Sequence, residues 1–158
     1  MNKQEARDAL VTRLKADLEV VSESQRQTQE GLTHEDNKQE GDKDMRSTEA
    51  SYLARGLAER VEQLHEEIGA LSTLDIKGGR ERAGAGALVT VEDEDEKQQA
   101  YLLTPHSGGA RAEVKGMTVT LVTTKSPMGR ALLGKEEGDD VEFVTPRGTR
   151  YVTIIEIA

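Results

Sequence analysis

The side chains best suited to chemistry are carboxylates in a short polar segment of the first half of the chain. Asp36, Glu40, Asp42 and Asp44 lie within residues 34–45. Carboxylates crowded into one loop repel one another, and they are stabilised by sharing a hard divalent cation such as Mg²⁺, which prefers oxygen ligands and keeps several waters. The spacing lacks the glycine and the distal glutamate of a calcium-binding loop. The segment is therefore a candidate Mg²⁺ site, although an acidic loop by itself is ordinarily a solvated turn.

Other residue types that carry chemistry are scattered or missing. The histidines His34, His65 and His106 are spread over three distant parts of the sequence, and there is no cysteine. Neither a catalytic triad nor a zinc-binding set can be assembled from this spacing, and disulfides and thiolate catalysis are excluded.

Two apolar stripes flank the acidic segment at helical spacing. The first is formed by Ala6, Leu10, Leu14, Leu18 and Val21, and the second by Ala50, Leu53, Leu57, Val61, Leu64, Ile68 and Leu71. Two stripes of similar length joined by a polar segment predict an antiparallel two-helix coiled-coil hairpin over residues 1–75, with its acidic tip at 34–45. A coiled-coil arm that only dimerises is the alternative.

The second half of the chain has a different periodicity. Residues 76–86 are rich in glycine and predict a flexible linker, without the Gly-Lys-Ser/Thr of a phosphate-binding loop. Residues 87–158 contain short apolar runs of period two, which predict strands at 88–91, 101–103, 118–122, 141–144 and 151–157. With one short helix, this half is expected to be a small antiparallel β domain, and the chain belongs to the α+β class.

The charge restricts the partners. The formal net charge is −9, and most of it falls in the first 75 residues. Autonomous binding to DNA or RNA requires an excess of lysine and arginine, so the expected partner is a protein with a basic surface. No apolar run approaches the length of a membrane span, and the first residues lack the apolar region of a signal peptide, so we expect a cytoplasmic protein with no membrane association.

One segment contains every signal of a short structural unit in order, Ser126-Pro-Met-Gly-Arg-Ala-Leu-Leu-Gly-Lys135. Ser126 is suited to cap a helix that starts at Pro127, and Gly134 is suited to end it. Gly138-Asp139 and the hairpin Thr145-Pro-Arg-Gly148 follow. In these motifs the chain resembles the C-terminal domain of the bacterial Gre transcript-cleavage factors, GreA and GreB.

The resemblance implies a fold and a function. Gre factors join an acidic-tipped helical hairpin to an FKBP-like domain, which docks at the rim of the secondary channel of RNA polymerase. The hairpin enters the channel, and its tip carboxylates help to hold a second Mg²⁺, so that the polymerase cleaves the 3′ end of backtracked RNA. Carried onto this sequence, the partner-binding residues are Lys125, Ser126, Pro127 and Arg130, and the chain is a monomeric stimulator rather than an enzyme.

Two positions depart from the family pattern. Without gaps, the family register places Glu40 at the first important tip carboxylate but Lys43 at the second. Many Gre factors also have Asp-Ser-Pro where this chain has Lys125-Ser126-Pro127. The tip departure leaves open a regulator that occupies the channel and inhibits transcription without stimulating cleavage. A prolyl isomerase or chaperone is a further alternative, although the C-terminal half offers only three aromatic rings, those of Tyr101, Phe143 and Tyr151.

Overall fold

A computed structural model describes residues 1–35 and 43–158. Two long helices come first, α1 (Lys3–Glu35) and α2 (Lys43–Ser72). They are followed by β1 (Leu88–Asp93), β2 (Gln98–Thr104), β3 (Arg111–Val114), β4 (Met117–Thr123), α3 (Pro127–Leu132), β5 (Asp140–Thr145) and β6 (Gly148–Ile157). Of the predicted tip carboxylates, Asp36, Glu40 and Asp42 lie outside the described residues, and Asp44 lies in the first turn of α2.

The chain divides into two compact units. One consists of Leu14–Ile68, and the other of Met1–Arg13 together with Gly69–Ala158. The described residues of the first unit are all helical, whereas the second unit contains the sheet.

In the helical unit the apolar stripes are buried at one end only. Leu14 and Leu64 are buried, while Leu53, which the periodicity places on the same stripe as Leu64, is 56% exposed. The corresponding positions of the first stripe turn polar at Gln25 and Thr28. A leucine side chain stabilises the folded state only where apolar neighbours shield it from water. Because the first stripe turns polar, the apolar stripe of α2 is longer than its buried part.

The sheet has six strands in the order β3-β4-β2-β1-β6-β5. Four pairings are antiparallel, and β2 with β4 is parallel, with Ala100 opposite Val119. The predicted α+β class is confirmed, with a mixed sheet. The parallel pair arises because β3 lies between β2 and β4 in sequence. The chain reverses direction between β3 and β4, at Lys115 and Gly116, whose φ values are 51° and 81°. Two consecutive positive φ values are typical of a tight hairpin turn.

Each face of the sheet is buried by a different set of residues. On one face α3 packs on the core through Leu132, against Val89, Leu103, Val122, Val141, Val152 and Ile154. Leu88, Ala100, Leu102 and Val119 alternate with those positions and are also buried. The start of α1 belongs to the same compact unit, where Glu5 pairs with Lys115 at 2.8 Å.

Within residues 1–35 and 43–158, no helix combines the length and the apolar character that crossing a membrane requires.

Candidate partner-docking site

The start of α3 is held by a compact set of hydrogen bonds around Ser126. The Gly129 N–H donates to Ser126 Oγ at 3.0 Å, so the serine caps the helix as the sequence predicts. Ser126 Oγ in turn donates to the carbonyl of Thr123 at 2.8 Å. Pro127 occupies the first helical position, where its missing N–H costs nothing, and its side chain is exposed. The geometry presents Pro127 to solvent on a rigid turn.

The end of α3 is tied to the segment that precedes the sheet. Gly134, with φ of 79°, donates its N–H to the carbonyl of Ala83 at 2.8 Å, and the Ala83 N–H donates to the carbonyl of Lys135 at 2.8 Å. Gly134 adopts the left-handed conformation that commonly ends a helix. A helix of six residues is too short to be stable alone, so these long-range bonds position it.

An apolar cleft of about 400 Å³ opens beside the start of α3. Ser126 and Pro127 line it, together with Leu121, Val122, Met128, Phe143, Val144 and Pro146. Val144 is 72% exposed, and Pro127 and Pro146 are exposed as well. The cleft therefore offers water-accessible apolar surface next to a rigid, capped turn.

The four predicted partner-binding residues occupy two kinds of position. Ser126 and Pro127 line the cleft, whereas Lys125 and Arg130 are exposed beside it and do not line it. The backbone N–H of Lys125 donates to Thr123 Oγ1 at 3.3 Å, and the residue is exposed. Lys125, Ser126 and Pro127 thus lie at the start of α3, whereas Arg130 lies in its last turn.

The far wall of this cleft is not predictable from the sequence motif around Ser126. Phe143, Val144 and Pro146 come from β5 and the following turn, more than a dozen residues beyond Met128. They lie near α3 because the chain turns after Gly134 and then forms β5. This strand pairs with β6 and is an edge strand of the sheet. The one local signal was the hairpin motif Thr145-Pro-Arg-Gly148.

A second cleft, of about 210 Å³, is lined by the three aromatic side chains of the C-terminal half. These are the rings that bear on the prolyl isomerase alternative. Tyr101, Phe143 and Tyr151 line it, and Asp93, Lys97 and Arg150 contribute charged groups. The Tyr101 hydroxyl donates to Gln99 Oε1 at 3.0 Å. Burial raises the pKa of the Tyr101 phenol, with Arg111 and Arg150 opposing that shift. Charged groups at the cleft distinguish it from the apolar cleft beside α3.

Within residues 1–35 and 43–158, no three histidine, aspartate or glutamate side chains are grouped so as to hold a metal ion. The candidate ligands Asp36, Glu40 and Asp42 are not among those residues. The Mg²⁺ site of the tip stays a prediction from the sequence.

Comparison with known proteins identifies relatives of the second half of the chain. Residues 79–158 match the family model described as transcription elongation factor GreA/GreB, C-terminal. The transcription elongation factor GreA of Hyphomonas neptunium is 34% identical over 100 residues, which cover 62% of this chain and 60% of that protein. GreA of Jannaschia sp. is 36% identical over 101 residues, covering 63% of this chain and 60% of that protein. The chain thus spans about 60% of the length of these relatives.

Among solved structures, the chain is similar to GreA factor homolog 1 of Thermus thermophilus. The sequence identity is 24%, the TM-score is 0.40, and the match covers 95% of each chain.

Proposed function

The chain belongs to the GreA/GreB family of transcription elongation factors, and on that premise we propose that it binds bacterial RNA polymerase and stimulates cleavage of the 3′ end of backtracked RNA. In this proposal residues 87–158 dock at the rim of the secondary channel, and residues 76–86 connect them to the helical arm. Residues 1–75 insert into the channel with the acidic tip leading. The factor acts as a cytoplasmic monomer and contacts RNA only through the polymerase active centre.

The observation that carries the docking part is the structure at the start of α3. Ser126 caps the helix, Pro127 is exposed, and an apolar cleft opens beside both. A docking surface needs a rigid backbone, because disorder that is lost on binding lowers affinity. Lys125, before the N-cap, and Arg130, in the last turn, supply exposed charge on either side of Pro127. These features support a protein partner at this site.

The tip part of the proposal depends on the chemistry of carboxylates. Asp36, Glu40, Asp42 and Asp44 would present oxygen ligands to a Mg²⁺ shared with the polymerase. When bound, that ion would help to activate water or to stabilise the leaving oxygen in a two-metal hydrolysis. The chain would contribute ligands and orientation, while the polymerase would carry out the bond cleavage.

The decisive experiment uses backtracked elongation complexes of the polymerase from the same organism, assembled with RNA labelled at the 5′ end. Addition of the protein should accelerate loss of short 3′ fragments at saturating Mg²⁺. If cleavage is unchanged while nucleotide incorporation slows, the protein is a channel-occupying inhibitor instead. If the protein neither binds the polymerase nor changes either reaction, the proposed function is wrong.

The oligomeric state needs a separate measurement. Light scattering at the concentration used in the cleavage assay should give the mass of one chain. An obligate dimer would favour the alternative in which the helical arm serves as a dimerisation module. A proline-peptide isomerisation assay on the same preparation tests the isomerase alternative, for which the three rings of the second cleft are the relevant residues.

A further inference from the structure

The sheet face opposite α3, called the outer face below, is covered over only part of its area. Side chains of a strand alternate between the two faces. Because Val141 and Val152 are paired and lie in the core on the α3 side, their neighbours lie on the outer face. The buried part of the outer face contains Leu88, Ala100, Leu102 and Val119. The remaining part, the uncovered patch, contains Glu92, Gln98, Asp140, Glu142, Tyr151 and Thr153, none of which is buried.

Four residues of the uncovered patch form one row across four strands. In order from β5 through β6 and β1 to β2, they are Asp140, Thr153, Glu92 and Gln98. The Thr153 hydroxyl donates to Asp140 Oδ1 at 2.7 Å, and the Gln98 amide donates to Glu92 Oε2 at 2.9 Å. These hydrogen bonds orient both carboxylates on the sheet. Since adjacent strands are about 4.8 Å apart, the backbones of Asp140 and Glu92 are separated by roughly 10 Å.

The carboxylates of the uncovered patch are not neutralised by the fold. Within residues 1–35 and 43–158, Glu92, Asp140 and Glu142 form no ion pair. The patch contains no cation, and Arg150, beside Tyr151 in the sequence, is opposite Phe143 and so lies on the α3 side. Among the described residues, no three carboxylate or imidazole groups are placed to hold one metal ion. The spacing therefore favours several separate cationic groups over a single shared ion.

An exposed aromatic ring lies among these carboxylates. Tyr151, which also borders the second cleft, is directly opposite Glu142 and is 51% exposed. Cations are attracted to the face of a tyrosine ring, and the planar guanidinium of arginine also stacks on it. Side chains directly opposite each other in an antiparallel pair have Cβ atoms about 5 Å apart. The Tyr151 ring and the Glu142 carboxylate are thus within reach of one guanidinium group.

We propose that the uncovered patch binds an arginine-bearing segment of a protein partner. One guanidinium stacks on Tyr151 and pairs with Glu142, and a second, roughly 7 to 10 Å away, pairs with Asp140 or Glu92. The carboxylates repel the phosphates of nucleic acid, so the partner is a protein. The patch is on the sheet face opposite the apolar cleft beside α3. The proposal goes beyond the proposed function, because it requires neither that cleft nor the acidic tip.

The first test titrates the isotope-labelled chain with a short basic peptide at physiological ionic strength. The probe is acetyl-Gly-Arg-Gly-Arg-Gly-Arg-Gly-amide, in which alternate side chains of an extended backbone are about 7 Å apart. It should shift the backbone amide resonances of Glu142, Tyr151 and Thr153. The matched peptide with citrulline for arginine, which keeps the size of the side chain but not its charge, should not shift them.

The position of the shifts distinguishes a specific surface from general attraction to an acidic protein. Residues 94–96 form an exposed acidic turn between β1 and β2, outside the uncovered patch. Equal shifts with the citrulline peptide, the largest shifts at residues 94–96, or no shifts with the arginine peptide would each overturn the proposal.

The second test compares variants whose fold is checked by circular dichroism. The double variant Glu142→Gln, Tyr151→Ala should bind the arginine peptide about tenfold more weakly than the parent. Tyr151→Phe keeps the aromatic ring and should bind within about twofold of the parent. The control Glu94→Gln removes one negative charge, as the double variant does, at an exposed position of the acidic turn and should bind as the parent does.

Equal affinities of the double variant and Glu94→Gln would also overturn the proposal, because the total charge alone would then account for binding. Neither titration contains the polymerase. A negative result here therefore leaves the proposed function standing, and a negative cleavage assay leaves the arginine-binding patch standing.

Discussion

The carbonyl oxygen of Thr123 occupies the space that a side chain at position 129 would need. A Cβ on Gly129 would lie 1.9 Å from that oxygen and 2.8 Å from the Thr123 carbonyl carbon, distances that van der Waals contact forbids. The same carbonyl accepts the hydroxyl of Ser126 at 2.8 Å. The end of β4 and the start of α3 are therefore in direct backbone contact, and only glycine permits that approach.

Substitution of Gly129 by alanine should disrupt this junction. We expect Gly129→Ala to lower the free energy of unfolding by about 1 to 3 kcal/mol, because the added methyl must displace backbone rather than a flexible side chain. Urea denaturation followed by circular dichroism measures the change. The control Gly79→Ala adds a methyl where no atom lies within 4 Å. Equal stability of the two variants would contradict the close contact.

Two leucines of α2 should respond very differently to truncation. Leu64 is fully buried, so Leu64→Ala should destabilise the helical unit by about 2 to 5 kcal/mol through lost burial and a cavity. Leu53 lies on the same sequence stripe but is 56% exposed, and Leu53→Ala should cost less than about 1 kcal/mol. Thermal unfolding recorded at a helical wavelength compares them. A larger loss for Leu53→Ala would mean that the stripe is buried along its whole length.

Stability should depend on pH at the alkaline end through Tyr101. Burial raises the pKa of its phenol above the ordinary value of about 10. A raised pKa in the folded state means that the contribution to stability is complete below the unfolded pKa and is lost as the pH rises through the folded pKa. The parent should therefore lose stability from about pH 10 upward.

The variant Tyr101→Phe isolates that contribution. Its free energy of unfolding should fall less steeply above about pH 10 than that of the parent. Tyr52→Phe removes a phenol from an exposed position on α2 and serves as the matched control. Identical alkaline slopes for the parent and Tyr101→Phe would show that the phenol is not protected from ionisation by burial.

Substitutions of the tip residues Glu40 and Lys43 should change the cleavage rate in opposite directions. Glu40→Ala removes a proposed ligand, and a loss of about 1.4 kcal/mol of metal stabilisation would appear as about tenfold slower cleavage. Lys43→Glu removes a cation from the neighbourhood of the proposed Mg²⁺ and adds a carboxylate. This variant should raise the cleavage rate by a similar factor, because two charges a few ångströms apart interact by several kcal/mol in a poorly solvated site.

Single-round cleavage of backtracked complexes at limiting Mg²⁺ measures both tip variants. Glu30→Ala, farther from the tip on α1, is the control for loss of a carboxylate. Similar rates for the parent, Glu40→Ala and Lys43→Glu would exclude the register that places Glu40 and Lys43 at the two family positions.

Much of the fold could be predicted because its signals are local. The cap at Ser126, the helix start at Pro127 and the end at Gly134 depend on residues within one or two turns, and all three occur as the motif predicts. The four-residue strand β3 was missed because it is short and contains one large apolar side chain, Val114, although Arg-Ala-Glu-Val does alternate polar and apolar residues. Its pairing with β4 is decided by the turn at Lys115 and Gly116 and by burial of Val114.

The sequence by itself determined the α+β class, the two long helices, the capped α3 and the family, since periodicity and turn chemistry are written in neighbouring residues. Only the tertiary structure decided which leucines of α2 are buried, that β2 pairs in parallel with β4, and that Val144 and Pro146 face Met128 across a cleft. Those features depend on contacts between residues far apart in the chain. Neither the linear pattern of apolar residues nor the net charge of −9 could reveal that, among the described residues, no charged side chain lines this cleft.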